Sequence, residues 1–232
     1  MTQEQRSDCT LVIPAYNEES RIQGLISSLA EFPGEIIFVC DGTDRTGDIL
    51  EEYSRSHPDL RVTCLRFPSR LGKGGGIREG MLAAESEYVG FMDADGSTPL
   101  SEMAMLFGRL AEVDCAIGSR WVAGSEVPVR QGILRRVESR VFNLLIRGLF
   151  GLSFKDTQCG AKAFRRSAIR AVLPRIRSRG FEFDVELLWR MNQGGYTICE
   201  YPILWENRTD SRVKSSDILK MLAGLCTLRL RG

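Results

Sequence analysis

Tyr88-Val89-Gly90-Phe91-Met92-Asp93-Ala94-Asp95-Gly96-Ser97-Thr98-Pro99 decides how this chain is read. Its first five residues form an unbroken apolar run of the length of a buried strand. The Asp, Gly, Ser, Thr and Pro that follow are turn formers, so two carboxylates stand where a strand leaves a sheet. Carboxylates one residue apart at such a place are costly to desolvate without a cation. A divalent metal held by one or two of them, its other positions open, suits a substrate that carries phosphates. An acidic turn capping the next helix explains Asp-x-Asp equally well when the motif is taken alone.

The same arrangement recurs on either side. Residues 10–14, 35–40 and, more weakly, 61–65 are short apolar runs, and 115–118 is another. Between them Ile22, Leu25, Ile26 and Leu29 follow helical spacing, as do stretches within 48–55, 77–85 and 100–112. Alternating strands and helices imply an α/β fold: a Rossmann-like, mostly parallel, doubly wound sheet with helices on both faces. Ligands of such sheets gather beyond the carboxyl ends of the strands. Ala15-Tyr16-Asn17-Glu18, Asp41-Gly42-Thr43-Asp44 and Asp93-Ala94-Asp95 all fall there, and packing alone hardly explains three acidic loops at strand ends.

The second half is less regular. Residues 132–150 read as a helix whose apolar face runs from Ile133 and Val137 to Leu144, Leu145 and Leu149; 160–165 and 198–205 read as strands, and 183–193 and 217–230 as helices. No repeat, low-complexity tract or linker interrupts the chain. One domain over 1–232 is expected, with the acidic, metal-suited loops in 1–119 and the less regular half at 120–232.

Charge divides at the same place. The first 119 residues carry 10 Lys+Arg against 20 Asp+Glu and the remainder 21 against 10, although the whole chain is only +1. A basic surface facing an anionic partner is implied, either phospholipid or nucleic acid. No aromatic-interleaved basic stretch supports nucleic acid, so none is expected. Seven scattered cysteines without a Cys-x-x-Cys pair point to reduced thiols rather than a zinc site or a disulfide framework. His57 is the only histidine, which excludes chemistry built on several. No run approaches the roughly 18 apolar residues of a membrane span, and the polar residues 1–8 lack an apolar signal core, so a cytoplasmic location is expected.

Leu71-Gly72-Lys73-Gly74-Gly75-Gly76 invites comparison with a phosphate loop and fails it. A Walker loop needs Ser or Thr after the lysine, where Gly74 stands, and Ile77 occupies the third glycine position of a dinucleotide fingerprint. What remains is a glycine turn opening a helix, with Lys73 and nearby amides in reach of an anion. A flexible loop is the plain alternative.

Taken in order, seven words carry a resemblance: Val12-Ile13-Pro14-Ala15-Tyr16-Asn17-Glu18-Glu19, Asp41-Gly42-Thr43-Asp44-Arg45-Thr46, Gly72-Lys73-Gly74-Gly75, Asp93-Ala94-Asp95-Gly96, Gly118-Ser119-Arg120, Asp156-Thr157-Gln158-Cys159-Gly160 and Phe181-Glu182-Phe183-Asp184-Val185-Glu186-Leu187-Leu188. Over almost its whole length the chain resembles the inverting family-2 glycosyltransferases of GT-A fold. Within them it is most similar to the polyprenyl-phosphate sugar synthases, above all the dolichyl-phosphate β-glucosyltransferase group.

The resemblance implies a metal-dependent hexosyltransferase that carries glucose from UDP-glucose to a polyprenyl (dolichyl) phosphate, for glycan assembly such as N-glycosylation. By the same likeness Pro14, Tyr16, Glu18, Val39, Asp41, Lys73, Asp93 and Ala94 would bind the nucleotide-sugar. Asp95, with Asp93, would hold Mg²⁺ or Mn²⁺. Ser97 stands where related mannosyl enzymes carry a glutamine, so no ligand is expected there. Arg120, Arg135, Ser139 and Arg208 would receive the lipid phosphate, and Asp95, Arg120 and Arg208 would be catalytic. GlcNAc and mannose remain open as donor sugars. A family-2 enzyme with a hydroxyl acceptor would instead need a carboxylate base, for which Asp156 is the candidate.

A polyprenyl phosphate is ionised near neutral pH and needs no general base, which agrees with the absence of chemistry built on several histidines. A lipid acceptor also requires a path to the membrane. The 132–150 helix, with Arg130, Arg135, Arg136 and Arg140 beside apolar residues, suits peripheral contact with the cytoplasmic membrane face, and 217–230 has similar character. Packing of both helices into the core or into a dimer interface is the alternative. Asp184 and Glu186 are expected either to orient the acceptor side or to pair with local arginines.

Overall fold

The computed structural model describes residues 8–128, 133–206 and 215–231 and, within the helices at 133–150 and 215–231, the side chains of 140–150 and 221–229. Among these residues seven strands form one sheet: β1 (Cys9–Ala15), β2 (Glu35–Cys40), β3 (Val62–Arg66), β4 (Tyr88–Phe91), β5 (Cys115–Ser119), β6 (Lys162–Arg165) and β7 (Ile198–Pro202). Their order across the sheet is β3-β2-β1-β4-β6-β5-β7. All neighbours are parallel except β6, which runs antiparallel to both β4 and β5.

Helices cover both faces, as expected: α1 (Ile22–Ile26), α2 (Thr46–Ser56), α3 (Lys73–Ala83), α4 (Leu100–Arg109), α5 (Ile133–Phe150), α6 (Arg166–Val172), α7 (Phe183–Gln193) and α8 (Ser215–Arg231). Successive strand residues point to opposite faces. Leu11 and Ile13 therefore join Ile22 and Leu25 of α1 and Met103 and Phe107 of α4, while Val12 between them joins Ile77 and Met81 of α3 and Leu187 of α7. A strand buried on both faces must be apolar throughout, which is why β1, β2 and β4 read as continuous runs.

Three differences from the sequence reading bear on the site. Helix α3 begins at Lys73, four residues before its expected start, and carries Gly74, Gly75 and Gly76 in its first turn. A Cβ on Gly74 would lie 2.4 Å from the Phe183 Cβ, so its absence lets α3 pack directly on α7. Three amides near this turn are engaged: those of Leu71 and Gly72 donate to Asp41, and that of Gly75 donates to the Arg179 carbonyl.

On α5 the stripe that turns inward is Phe142, Ile146 and Phe150, each at most 6% exposed, whereas Leu144 and Leu145 face outward. Burying such a side chain contributes about 1.5–3 kcal/mol, so this stripe fixes the helix on the core. The tail follows the core-packing alternative. Met221, Leu225 and Leu228 of α8 join the same cluster as Phe142, Ile146 and Phe150, and Arg229 Nε donates to the Leu149 carbonyl at 3.0 Å.

Candidate active site

The floor of the site is a chain of alternating charges. Lys73 Nζ lies 2.9 Å from Asp93 Oδ1 and 3.1 Å from Asp184 Oδ2. The other Asp184 oxygen accepts from Lys162 Nζ, which also donates to the Cys159 carbonyl. The Lys162 and Asp184 side chains are 0% and 2% exposed, while Asp93 keeps 40% exposure toward solvent. Burial alone would raise the Asp184 carboxyl, but Lys162 and Lys73 outweigh it and hold it below its ordinary value. Burial would likewise lower the Lys73 ammonium, and Asp184 and Asp93 outweigh that and raise it. The Asp93 carboxyl is pushed up, partial burial together with the Asp95 and Asp184 charges outweighing Lys73.

Loops after β1 and β2 make the wall on one side. Asn17, at φ 54°, lets its Oδ1 accept from the Thr43 amide at 2.8 Å and so ties the two loops together. Asp41 Oδ2 accepts from the Leu71 and Gly72 amides at 2.7 and 3.1 Å and fixes the segment that leads into α3. Glu18 pairs with Arg21 at 2.6 Å, and the Arg70 guanidinium lies 4.2 Å above the Tyr16 ring. On the opposite side Glu186 Oε2 accepts from the amides of Arg177 and Ser178 at 3.0 and 2.8 Å, bracing the loop that brings Arg179 to the cleft. The structure thus makes Asp184 a partner of two lysines rather than of arginines, whereas Glu186 braces a loop and, as expected, also pairs with a local arginine, Arg190, at 3.6 Å.

Between these walls lies a cavity of about 550 Å³. Pro14, Tyr16, Glu18, Asp41, Lys73, Asp93, Ala94 and Asp95 all line it, with Arg21, Arg70 and Arg179 beside them. Val39, expected with this group, does not: at 1% exposure it points the other way and packs with Ile77 and Met81 of α3. The alternation of β2 sends it into the core.

Arg120 follows β5, and Asp156 precedes β6. Because β6 is reversed, its beginning lies at the edge where β5 ends, and the two residues meet. Arg120 Nε donates to Asp156 Oδ2 at 2.7 Å and a terminal nitrogen donates to Oδ1 at 2.8 Å, while the Arg120 amide donates to Oδ2 at 3.0 Å. Burial would lower the Arg120 pKa, and Asp156 outweighs it and raises it. Both Asp156 oxygens are engaged and its side chain is 2% exposed, so it is not placed to take a proton from a hydroxyl. Trp205 lies 5.2 Å from the Arg120 guanidinium, and Trp121 lies under Arg140 of α5 at 4.4 Å. Arg208 lies outside the described residues. Arg135 and Ser139 sit one turn apart on the backbone of α5, and their side chains lie outside the described set.

For a metal, Asp93 and Asp95 are the available carboxylates, and the described residues contain no cluster of three or more His, Cys, Asp or Glu able to hold one. That donor set fits an open site completed by water and phosphate rather than a closed protein cage. Asp95 suits the ligand role better, since Asp93 Oδ1 is already committed to Lys73; Asp95 Oδ1 accepts from the Ser97 amide at 2.9 Å.

Sequence reasoning missed Arg21, Arg70, Arg179 and Lys162. For Lys162 a signal was present: a lysine inside the apolar run Ala161-Lys162-Ala163-Phe164, in a chain with few lysines.

The family model for glycosyl transferase family 2 matches residues 10–173, which take in every loop of the cavity except that of Arg179 to Phe181. The chain belongs to glycosyl transferase family 2. Similar members include a dolichyl-phosphate beta-glucosyltransferase of Trichomonas vaginalis, 32% identical over 95% of this chain and 70% of that protein. Another is the dolichyl-phosphate beta-glucosyltransferase of Saccharomyces cerevisiae, also 32% identical, over 95% of this chain and 74% of that one. Among solved structures a mannosyltransferase of Pyrobaculum calidifontis, in complex with GDP-Man and Mn²⁺, superposes with a TM-score of 0.70 at 18% identity over 98% of this chain and 65% of that longer one. That likeness is one of fold, and the fold of this family-2 glycosyl transferase is GT-A.

Proposed function

We propose that this family-2 enzyme moves glucose from UDP-glucose to a polyprenyl phosphate such as dolichyl phosphate, with inversion at the anomeric carbon. The observation that carries the reading is the chemistry of one cavity, where Asp93 and Asp95 face Arg21, Arg70, Lys73 and Arg179. The relatives' names supply the sugar and the lipid acceptor.

In this reading Pro14, Tyr16, Glu18 and Asp41 take the base and ribose, and Lys73 and Arg179 meet the diphosphate. Asp95, with Asp93 beside it, would hold Mg²⁺ or Mn²⁺; when bound, the metal offsets the charge of the leaving diphosphate. The neighbour of similar fold that holds Mn²⁺ favours this arrangement without choosing between the two ions. Arg120, Arg135, Ser139 and Arg208 would receive the acceptor phosphate. That phosphate is already an anion, so the residues' task is to hold two negative groups together in line rather than to remove a proton. The engagement of Asp156 by Arg120 agrees with chemistry that needs no base.

Contact with the membrane is peripheral in this reading. No helix among the described residues is long and apolar enough to cross a bilayer. Val141, Leu144 and Leu145 on the outer face of α5 are 52, 67 and 53% exposed, and Arg140 and Arg147 stand exposed on the same helix. Apolar residues flanked by arginine suit an anionic interface, here the cytoplasmic leaflet.

A panel of radiolabelled nucleotide-sugars offered with polyprenyl phosphate and Mg²⁺ or Mn²⁺ tests the proposal. Label should enter the organic phase from UDP-glucose and only with metal present. A water-soluble glycoside as the sole product refutes the lipid acceptor, and label from another sugar alone refutes the donor.

A further inference from the structure

Lys162 and Asp184 form a buried ion pair that touches the cavity nowhere; neither lines it. Its connection to the site runs through Lys73. We infer that Asp184, anchored by Lys162, is a positioning residue that holds the Lys73 ammonium at the cavity wall as a fixed donor to the diphosphate; this rests on the donor site proposed above.

An ammonium has three N–H donors. Asp93 and Asp184 engage two of those on Lys73, at 2.9 and 3.1 Å, from two different elements. One donor remains, on a residue that lines the cavity. A lysine stem with a single carboxylate partner keeps most of its rotamer freedom, whereas one clamped from two sides has lost it before the ligand arrives. Asp184 can act as a clamp only while ionised. At 2% exposure it needs a counter-charge of its own, and Lys162, fully buried in β6 and bonded to both Asp184 and the Cys159 carbonyl, supplies it. The two ammoniums and two carboxylates of this run cancel, so a metal diphosphate meets a neutral floor there, with Asp95 beside it in the cavity lining.

The test uses the full chain and two ligands that differ only in the diphosphate: UDP, by calorimetry with Mn²⁺, and uridine, by ligand-observed NMR. The double variant Lys162→Met/Asp184→Leu removes opposite buried charges together and leaves neither orphaned. Its melting temperature should stay near wild type and its UDP affinity should fall about tenfold or more, with uridine binding unchanged. The single, isosteric Asp184→Asn leaves Lys162 without its counter-charge and should melt lower; measured below its melting temperature it should show the same selective loss. Wild-type UDP affinity in either folded variant overturns the inference, and so does an equal loss for UDP and uridine, which marks a merely structural pair. If the wild-type protein binds no nucleoside diphosphate in the presence of metal, the donor-site reading itself falls instead.

Discussion

Gly160→Ala is the most informative single change outside the charged groups. A Cβ at this position would lie 2.0 Å from Asp93 Oδ2 and 2.4 Å from its Cγ, well inside any tolerated contact. The backbones cannot part easily, because the Asp93 amide donates to the Gly160 carbonyl at 3.1 Å. The Asp93 side chain must therefore turn, which breaks its 2.9 Å contact with Lys73 and removes one carboxylate from the cleft. Overpacking of this kind costs about 1–3 kcal/mol. If that strain is relieved by misplacing Asp93, the loss falls on the transition state and lowers kcat/KM by about 5- to 150-fold. Transfer of labelled glucose to polyprenyl phosphate, measured beside a thermal melt, separates the two routes. Strain retained in the folded state would instead lower Tm by about 2–4 °C per kcal/mol. The expected result is a large loss of kcat/KM with a small change in Tm. Wild-type values of both would refute the placement of Asp93 against Gly160.

Asp156→Asn should act on stability first: it leaves a largely but not fully buried Arg120 without its counter-charge, up to about 3–5 kcal/mol for a fully buried pair, and a lowered Tm by calorimetry is expected. Complete loss of turnover with an unchanged Tm would instead make Asp156 a base. Because Lys162 and Lys73 hold the Asp184 carboxyl below its ordinary 3.8, its contribution is complete above that pH and is lost as pH falls through the folded value. Urea unfolding of wild type and Asp184→Asn should show a stability gap that begins to close below pH 3.8; a gap constant into stronger acid contradicts the pairing. Leu144→Glu changes a residue 67% exposed, so it should leave Tm unaltered and weaken sedimentation with anionic vesicles several-fold. Undiminished sedimentation would move membrane contact away from α5.

What sequence disclosed was local. Acidic loops at strand ends were legible because strand, turn and carboxylate are adjacent in the chain, and seven of the eight expected nucleotide-sugar residues line one cavity. Val39 failed because alternation within a doubly buried strand leaves no polar marker of which face is which. Arg21, Arg70 and Arg179 come from three separate segments, and only the sheet order brings them together. The direction of α5 was illegible for a related reason: with apolar residues on both sides, burial of Phe142 or of Leu144 is decided by what lies opposite. Lys162 was passed over because a charged residue in a core strand acquires meaning only from its partner, Asp184, in another helix.

The reversed strand β6 has a consequence for how the protein can be made and divided. It belongs to the later half of the chain yet sits in mid-sheet, pairing Phe91 with Lys162 and Tyr88 with Arg165. A nascent chain that has released only its early half holds the acidic loops but has a gap beside β4, since β5 reaches the rest of the sheet only through β6. Such long-range pairing forms late. The two parts of the chain are therefore not interchangeable modules: each is sewn through the other, and the cavity, whose wall includes Arg179 to Phe181, is incomplete until the later part has been synthesised.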